Sequence, residues 1–439
     1  MAKNSHEIRD PIHIFIRLST DERKVVDSIP FQRLRNIHQL AMSYLIYPGA
    51  THKRFEHSLG VMELASRVFD IVSNQDNIHP IVRELIPEIS VKAKLGYWRS
   101  ALRMAALCHD LGHLPFSHAA EEALLADGWN HEKITVEFIR SEEMKQIWES
   151  MTPPLRVEDI VKLAVGQKKL KDTRFSDWEA LLSEIITSDA FGVDRIDYLL
   201  RDSHHTGVAY GKFDHFRLVD TLRILPKSAN QTDSIEPVLG IEEGGLHSAE
   251  ALLLARYFMY TQVYFHQVRR IYDIHLCDYL LKWLPDGKFP TDIYKLQNIS
   301  DNDVLAAVWQ AAVNKSHQLH ELACRLVKRE HYRRLYERNP EDLSVNPHIG
   351  QVIFDQIKEA FGEENVRRDN YTQKDNMMDF PVLCNDGRII PAFLLSETLK
   401  RLPVASFDYI FIKPNLLREG QVWRKNNMQK MLSMVAREE

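Results

Sequence analysis

The sequence predicts a mainly α fold: a helical core over residues 1–348 and a small α/β appendage over residues 349–439. Three observations lead there. Apolar residues recur at helical intervals from Ser19 to Trp283. Of 439 residues, 44% are apolar and 27% charged, the balance of a chain that buries a core. After Ile349 the texture changes to short β-type runs separated by turn residues.

Taken in order, Val25, Val26, Ile29, Leu34 and Ile37 give two short helices meeting at Pro30, whose ring and missing N–H interrupt a longer one. Helical periodicity then predicts helices over 57–73, 81–111, 118–127, 131–150, 157–165 and 178–202. Residues 245–283 are apolar on more than one face, as in a buried helix. Polar, Gly- and Pro-bearing stretches at 227–237, 285–301 and 338–347 read as connections. In the appendage, 381–384 and 388–391 flank Asp386-Gly387 as a hairpin, and 407–412 is a strand.

Composition excludes several classes of function. The 56 basic and 61 acidic residues give a net charge of −5, which argues against a surface that is one continuous sleeve for nucleic acid. Single-stranded nucleic acid therefore stays a partner without support. No apolar run approaches the ~18 residues needed to span a bilayer, and the polar start predicts a cytoplasmic protein that avoids membranes. Cys108, Cys277, Cys324 and Cys384 form no CxxC pair and read as reduced thiols. The 20 histidines stand out, since imidazole both binds metals and moves protons near neutral pH.

Their placement carries the chemistry. Residues 107–118 read Leu-Cys-His-Asp-Leu-Gly-His-Leu-Pro-Phe-Ser-His, with Gly112 in position to end the preceding helix as a C′ glycine. His109 and Asp110 then stand side by side at a helix end, an N/O donor mixture suited to Fe, Mn, Zn or Mg. The plain alternative is a helix terminus with a dipole-matched histidine and a capping aspartate. Upstream lies Thr-His-Lys-Arg-Phe-Glu-His at 51–57; downstream, Asp194, Tyr198 and Asp202 share one helix face. That helix reads alternatively as a surface salt-bridge ladder of Asp194, Asp197 and Arg201.

The words Asp-Pro-Ile-His at 10, Phe-Gln-Arg-Leu-Arg at 31, Pro-Gly-Ala-Thr-His-Lys-Arg-Phe-Glu-His-Ser-Leu-Gly at 48, His-Asp-Leu-Gly-His-Leu-Pro-Phe-Ser-His at 109 and Asp-Arg-Ile-Asp-Tyr at 194 change the balance. Together they resemble the HD-superfamily deoxynucleoside triphosphate triphosphohydrolases, in the branch of the vertebrate SAM-and-HD-domain enzyme and its prokaryotic relatives. The likeness runs from about Ile8 to Val268 and implies that the core is an HD domain, with its metal site within 50–215.

The resemblance implies hydrolysis of a dNTP to deoxynucleoside and inorganic triphosphate. It assigns His57, His109, Asp110 and Asp194 to a divalent metal (Fe, Mn, Mg or Zn), and His118 to the general acid that a poor alkoxide leaving group requires. Glu121, where the family usually has aspartate, would orient His118; His131 would support the relay and His113 contact the reacting phosphate. Arg54, Arg195 and Tyr198 match phosphate contacts. Gln39 and Asp202 match contacts to the 3′-OH, and Leu40 and Tyr264 flank the 2′ edge, although the aromatic stripe around Tyr264 reads equally as core packing. Asp27, Gln32 and Arg35 stand where relatives bind an activating guanine nucleotide, dGTP or GTP, in a homo-oligomer, dimer or tetramer; alone they read as a helix-start carboxylate and solvated polar residues. Two other functions fit the same words: an HD phosphodiesterase or nucleotidase acting on another nucleotide or nucleic-acid end, and a non-catalytic nucleotide sensor.

Overall fold

A computed structural model describes residues 5–117, 121–228, 235–372 and 379–434. The chain is mainly α, with small sheets, and divides into two compact units. The first holds residues 1–259, 289–302 and 376–402; the second holds 260–288, 303–375 and 403–439. The division is interleaved along the chain and does not fall at one point near 349, because strand pairing draws the 381–391 hairpin into the first unit.

The first unit opens with an unexpected hairpin, β1 (Ser5–Asp10) and β2 (Ile14–Ser19), in which β1 is almost wholly polar and exposed Ile14 and Phe15 interrupt the alternation of β2. Ser19 then starts α1 (Thr20–Asp27) through a capping box with Glu22. After a break at Ser28, α2 (Ile29–Arg33) carries Pro30 in its first turn, where a missing N–H costs nothing. The long buried helix α3 (Arg54–Val72) packs against α5 (Lys92–Cys108), which a short α4 (Pro80–Leu85) precedes. Pro87 separates these last two, which the periodicity had merged.

The predicted helix over 131–150 is likewise two helices. A short α6 (Glu121–Leu124) comes first, then α7 (His131–Ile139) and α8 (Glu142–Ser150), the last restarted by Ser141 as N-cap. Next come α9 (Val157–Val165), as predicted, α10 (Asp177–Thr187) and α11 (Val193–Thr206). The break between α10 and α11 is invisible to periodicity because Phe191 within it is buried like a helical core residue. A short α12 (His215–Asp220) leads into β3 (Leu222–Ser228) and β4 (Ile235–Glu242), which pair antiparallel across the region read as a connection. The helix Leu246–Met259 follows. Strands Pro381–Leu383 and Ile389–Pro391 extend this sheet around the expected Asp386-Gly387 turn, where Gly387 has φ +84°.

In the second unit, the expected 245–283 helix continues only after a π-helical turn at Tyr260–Tyr264, as Gln267–Trp283. A three-stranded antiparallel sheet orders Arg333–Glu337, Ser406–Ile412 and Val366–Thr372. Helices Ile349–Phe361 and Leu417–Leu432 help bury Leu335, Val352, Ile353, Ile357, Ile410 and Ile412 against it.

Candidate metal centre

Three helices of the first unit deliver the candidate ligands. At the start of α3 the Glu56 carboxylate accepts the Lys53 N–H at 2.8 Å, fixing the first turn so that Arg54 and His57 point to the same side. At the end of α5 the chain turns sharply through His109 and Asp110. Gly112 permits this by close approach: a Cβ there would lie 2.1 Å from the His131 carbonyl oxygen and 2.4 Å from the Thr135 nitrogen. Its φ is not left-handed, so the glycine serves packing and not the C′ conformation the sequence suggested. The first turn of α11 supplies Asp194.

These four side chains meet. Asp194 Oδ1 lies 3.0 Å from His57 Nε2 and 3.5 Å from His109 Nε2. Asp110 Oδ1 is 3.4 Å from His109 Nε2, and its Oδ2 is 3.7 Å from His57 Nε2. The ligand atoms of His57, His109 and Asp110 fall within 4.8 Å of one another, close enough to share one ion.

The histidine tautomers fit that use. The Ala106 carbonyl, 2.7 Å away, accepts from His109 Nδ1, so the proton sits there and Nε2 presents a lone pair. This Nε2 is buried without a hydrogen-bond partner, a deficit that a cation would satisfy. His57 donates from Nδ1 to Asp197 Oδ2 at 2.9 Å, which likewise turns Nε2 toward the centre. Asp197 is not among the residues picked from sequence.

Electrostatics favour a cation. Burial raises the Asp110 carboxyl, but Arg54, His109 and His113 outweigh it and hold it well below the usual carboxylate range. Burial lowers His57, yet Asp194 and Asp197 push it up to about 10. In the metal-free protein a proton therefore occupies His57 Nε2 at neutral pH, and a cation must displace it. Mn²⁺ affinity is expected to rise by about tenfold per pH unit from pH 6 to 8, since each ion bound releases at least that proton. The carboxylates, whose ionisation would add slope of the same sign, are already ionised in this range and add none. Titration calorimetry at three pH values checks this; a flat profile contradicts it.

Around this centre lie the other predicted residues. Arg54 is buried, ion-paired through Nη1 with Asp110 and donating from Nε to Ser117 Oγ at 2.8 Å, so it is no solvated loop charge. His113 donates to Asp110 Oδ1 over 3.1 Å and stacks on His131 with ring centroids 4.2 Å apart. Burial, then Arg54, push His113 well below the ordinary imidazole range, so it is neutral. Glu121 engages His131, accepting from its backbone N–H at 2.6 Å and its ring Nδ1 at 2.9 Å. His118, the expected partner of Glu121, lies outside the described residues.

Further along α11, Arg195 Nε sits 3.4 Å from the Tyr198 hydroxyl. Asp202 is buried and accepts from His52 Nε2 at 2.7 Å. Gln39 reaches the same place through its backbone, its N–H donating to the His52 carbonyl at 3.0 Å, while its Oε1 is buried without a partner. Leu40 beside it is buried. Tyr264 belongs to the second unit, edge-on to Tyr260 at 5.2 Å. Of the remaining trio, Arg35 donates to Gln32 Oε1 at 2.9 Å and caps the Phe55 ring, whereas Asp27 pairs with Arg23 at 3.1 Å.

Residues 54–202 match the HD domain and residues 213–381 the HD associated region. An uncharacterised protein of Methanocaldococcus jannaschii is 35% identical over 295 residues, 67% of this chain and 53% of that one. The deoxynucleoside triphosphate triphosphohydrolase SAMHD1 of Gallus gallus is 29% identical over 373 residues, 77% of this chain and 57% of its own. The chain thus spans little more than half the length of these relatives. The crystal structure of a hypothetical protein from Aquifex aeolicus superposes with a TM-score of 0.75 at 32% identity, covering 95% of this chain and 99% of that one. Among the described residues no helix is long and apolar enough to cross a membrane.

Proposed function

Since this chain belongs to the HD-domain phosphohydrolases, in the group related to the dNTP triphosphohydrolases, we propose that it hydrolyses dNTPs to deoxynucleoside and inorganic triphosphate with the help of a divalent metal, Fe, Mn, Mg or Zn. The observation that carries this reading is the meeting of His57, His109, Asp110 and Asp194, with the Nε2 atoms of both histidines turned toward the two carboxylates. A bound divalent cation supplies an acidified water and polarises the phosphorus under attack.

The chain's own groups do the rest. Arg54 is held rigidly by Asp110 and Ser117, so its charge opposes a polyphosphate without reorganising. Arg195, beside Tyr198, adds a second cation for the same chain of phosphates. His131 is oriented by Glu121 and works with His118 in delivering a proton to the departing 5′ oxygen. His113, kept neutral, adds no charge and donates to Asp110. Gln39 and Asp202 meet the 3′-OH, and Leu40 crowds a 2′-OH. Activation by dGTP or GTP through Asp27, Gln32 and Arg35, assembly as a homo-oligomer and a cytoplasmic setting complete the reading.

The test is a product assay of the full chain with each dNTP and Mn²⁺ or Mg²⁺, with and without dGTP. Inorganic triphosphate is the expected product. Pyrophosphate or orthophosphate would assign the site to an HD nucleotidase or phosphodiesterase, and metal binding without turnover to a nucleotide sensor.

A further inference from the structure

The Asp10-Pro11-Ile12-His13 word has no part in the chemistry above, yet both of its polar side chains are buried and point inward. Asp10 and Ile14 pair across β1 and β2, leaving Pro11, Ile12 and His13 as a three-residue turn. Asp10 Oδ1 accepts the backbone N–H groups of Ile12 at 2.9 Å and His13 at 2.8 Å, which fixes the turn. Ile14 closes it with φ +67°, a left-handed conformation that a β-branched residue adopts only when its surroundings hold it there. The Ile14 side chain is 58% exposed, so its own packing is not what holds it.

The turn holds His13 over Asp197. His13 Nε2 lies 2.7 Å from Asp197 Oδ1, to which Arg201 Nη2 also donates at 3.0 Å. The other oxygen, Oδ2, accepts from His57 Nδ1 at 2.9 Å and from Arg201 Nε at 2.8 Å. Arg201 in turn donates from Nη1 to Asp10 Oδ2 at 2.7 Å. Asp197 and Arg201 are fully buried. A carboxylate offers about four lone-pair positions, and all four of Asp197's are taken by these donors. It has none left for a metal or a substrate, so it acts only through His57. Gly60 makes room: a Cβ there would stand 2.0 Å from Asp197 Oδ1.

We propose that Asp10 and His13 are positioning residues of the metal centre: with Arg201 they clamp Asp197, and Asp197 fixes the ring plane and tautomer of His57. The first hairpin is then part of the site, although it contributes no ligand. This rests on the metal-centre reading of the preceding section. An outer partner of this kind sets ligand basicity as well as direction, and its loss typically weakens metal binding about 10–100-fold.

The experiment measures Mn²⁺ affinity of the full chain by titration calorimetry, with circular dichroism and melting temperature in parallel. The variants are His13→Ala, His13→Gln, Asp10→Asn, Val25→Ala and Asp194→Ala. His13→Ala and Asp10→Asn are expected to weaken Mn²⁺ binding about 10–100-fold, and His13→Gln, which keeps an N–H donor, to recover part of the loss. Val25 is buried in α1 and makes none of the side-chain hydrogen bonds that join the hairpin to Asp197; its truncation lowers stability and is expected to leave affinity unchanged. Folded His13→Ala and Asp10→Asn proteins with wild-type affinity overturn the inference, as does an equal loss in Val25→Ala. Should Asp10→Asn fail to fold, the two His13 variants decide, because neither strands a buried charge. Asp194→Ala separates the two claims. If it binds Mn²⁺ as the wild type does, or the wild type binds none, the metal-centre reading falls and takes this inference with it. If it alone loses binding, only the positioning role falls.

Discussion

An Asp110→Asn variant is expected to bind Mn²⁺ at least about 100-fold more weakly and to turn over dNTP about a thousandfold more slowly, while remaining folded. The reason is the number of groups that depend on this carboxylate. It faces both candidate ligand histidines, pairs with Arg54 and accepts from His113. Alanine would remove all of this and leave the Arg54 guanidinium buried without its counter-ion, a change that costs about 3–5 kcal/mol and confuses catalysis with stability. Asparagine has nearly the same shape and keeps an oxygen for Arg54, but it loses the charge that a divalent cation needs. Metal content, circular dichroism and a steady-state assay on one preparation check the outcome. Undiminished turnover by a folded Asp110→Asn protein would remove Asp110 from the site and with it the whole proposed mechanism.

The residues of the candidate centre were named from the sequence through the family resemblance of the words that carry them, and those words lie at helix ends. Asp194, Tyr198 and Asp202 do share a face of α11. Periodicity could not say which faces are buried. Asp197 and Arg201, spaced four apart, read as a surface ladder; the pair exists at 2.8 Å but lies in the interior, where it joins His57, a candidate ligand, to the first hairpin. An i,i+4 rule carries no information on depth. The β1–β2 hairpin itself was missed because β1 carries a single apolar residue, Ile8, and because exposed Ile14 and Phe15 break the alternation of β2. Helix breaks marked by Pro or a capping Ser were recoverable in principle, unlike the one at 188–192, where Phe191 is buried as a helical core residue would be. The interleaving of the two units comes from strand pairing between residues such as Ile241 and Val382, and such pairing leaves no trace in a single sequence.

Asp301, which sequence reading left in a connection, has the second large expected effect, and of a different kind. It is fully buried at the start of the helix Asp301–Val313. Its Oδ2 accepts the His38 backbone N–H at 2.7 Å and the His38 ring at 2.6 Å, and its Oδ1 accepts the Phe116 N–H at 2.8 Å. Phe116 and Ser117 have φ of +57° and +55°, a conformation that costs a non-glycine residue about 1–3 kcal/mol. The hydrogen bond to Asp301 holds Phe116 there together with the burial of its ring against His38. Asp301→Ala leaves two backbone N–H groups unsatisfied, each costing about 1–3 kcal/mol, and frees the loop to relax. A fall in melting temperature of about 5 °C is expected. As the loop relaxes, Ser117 moves off the Arg54 Nε, to which it is bonded at 2.8 Å, so the cation proposed to meet the polyphosphate loses one of its two supports. Turnover should drop about 10–100-fold with a raised KM. Mn²⁺ affinity should stay within about threefold, because the candidate ligands sit on α3, α11 and the end of α5 and not on this loop. Metal binding and phosphate positioning are separable on this account, and Asp301→Ala and Asp110→Asn separate them from opposite sides. If Asp301→Ala lost Mn²⁺ as completely as Asp110→Asn does, the 113–117 loop would have to be counted as part of the metal centre.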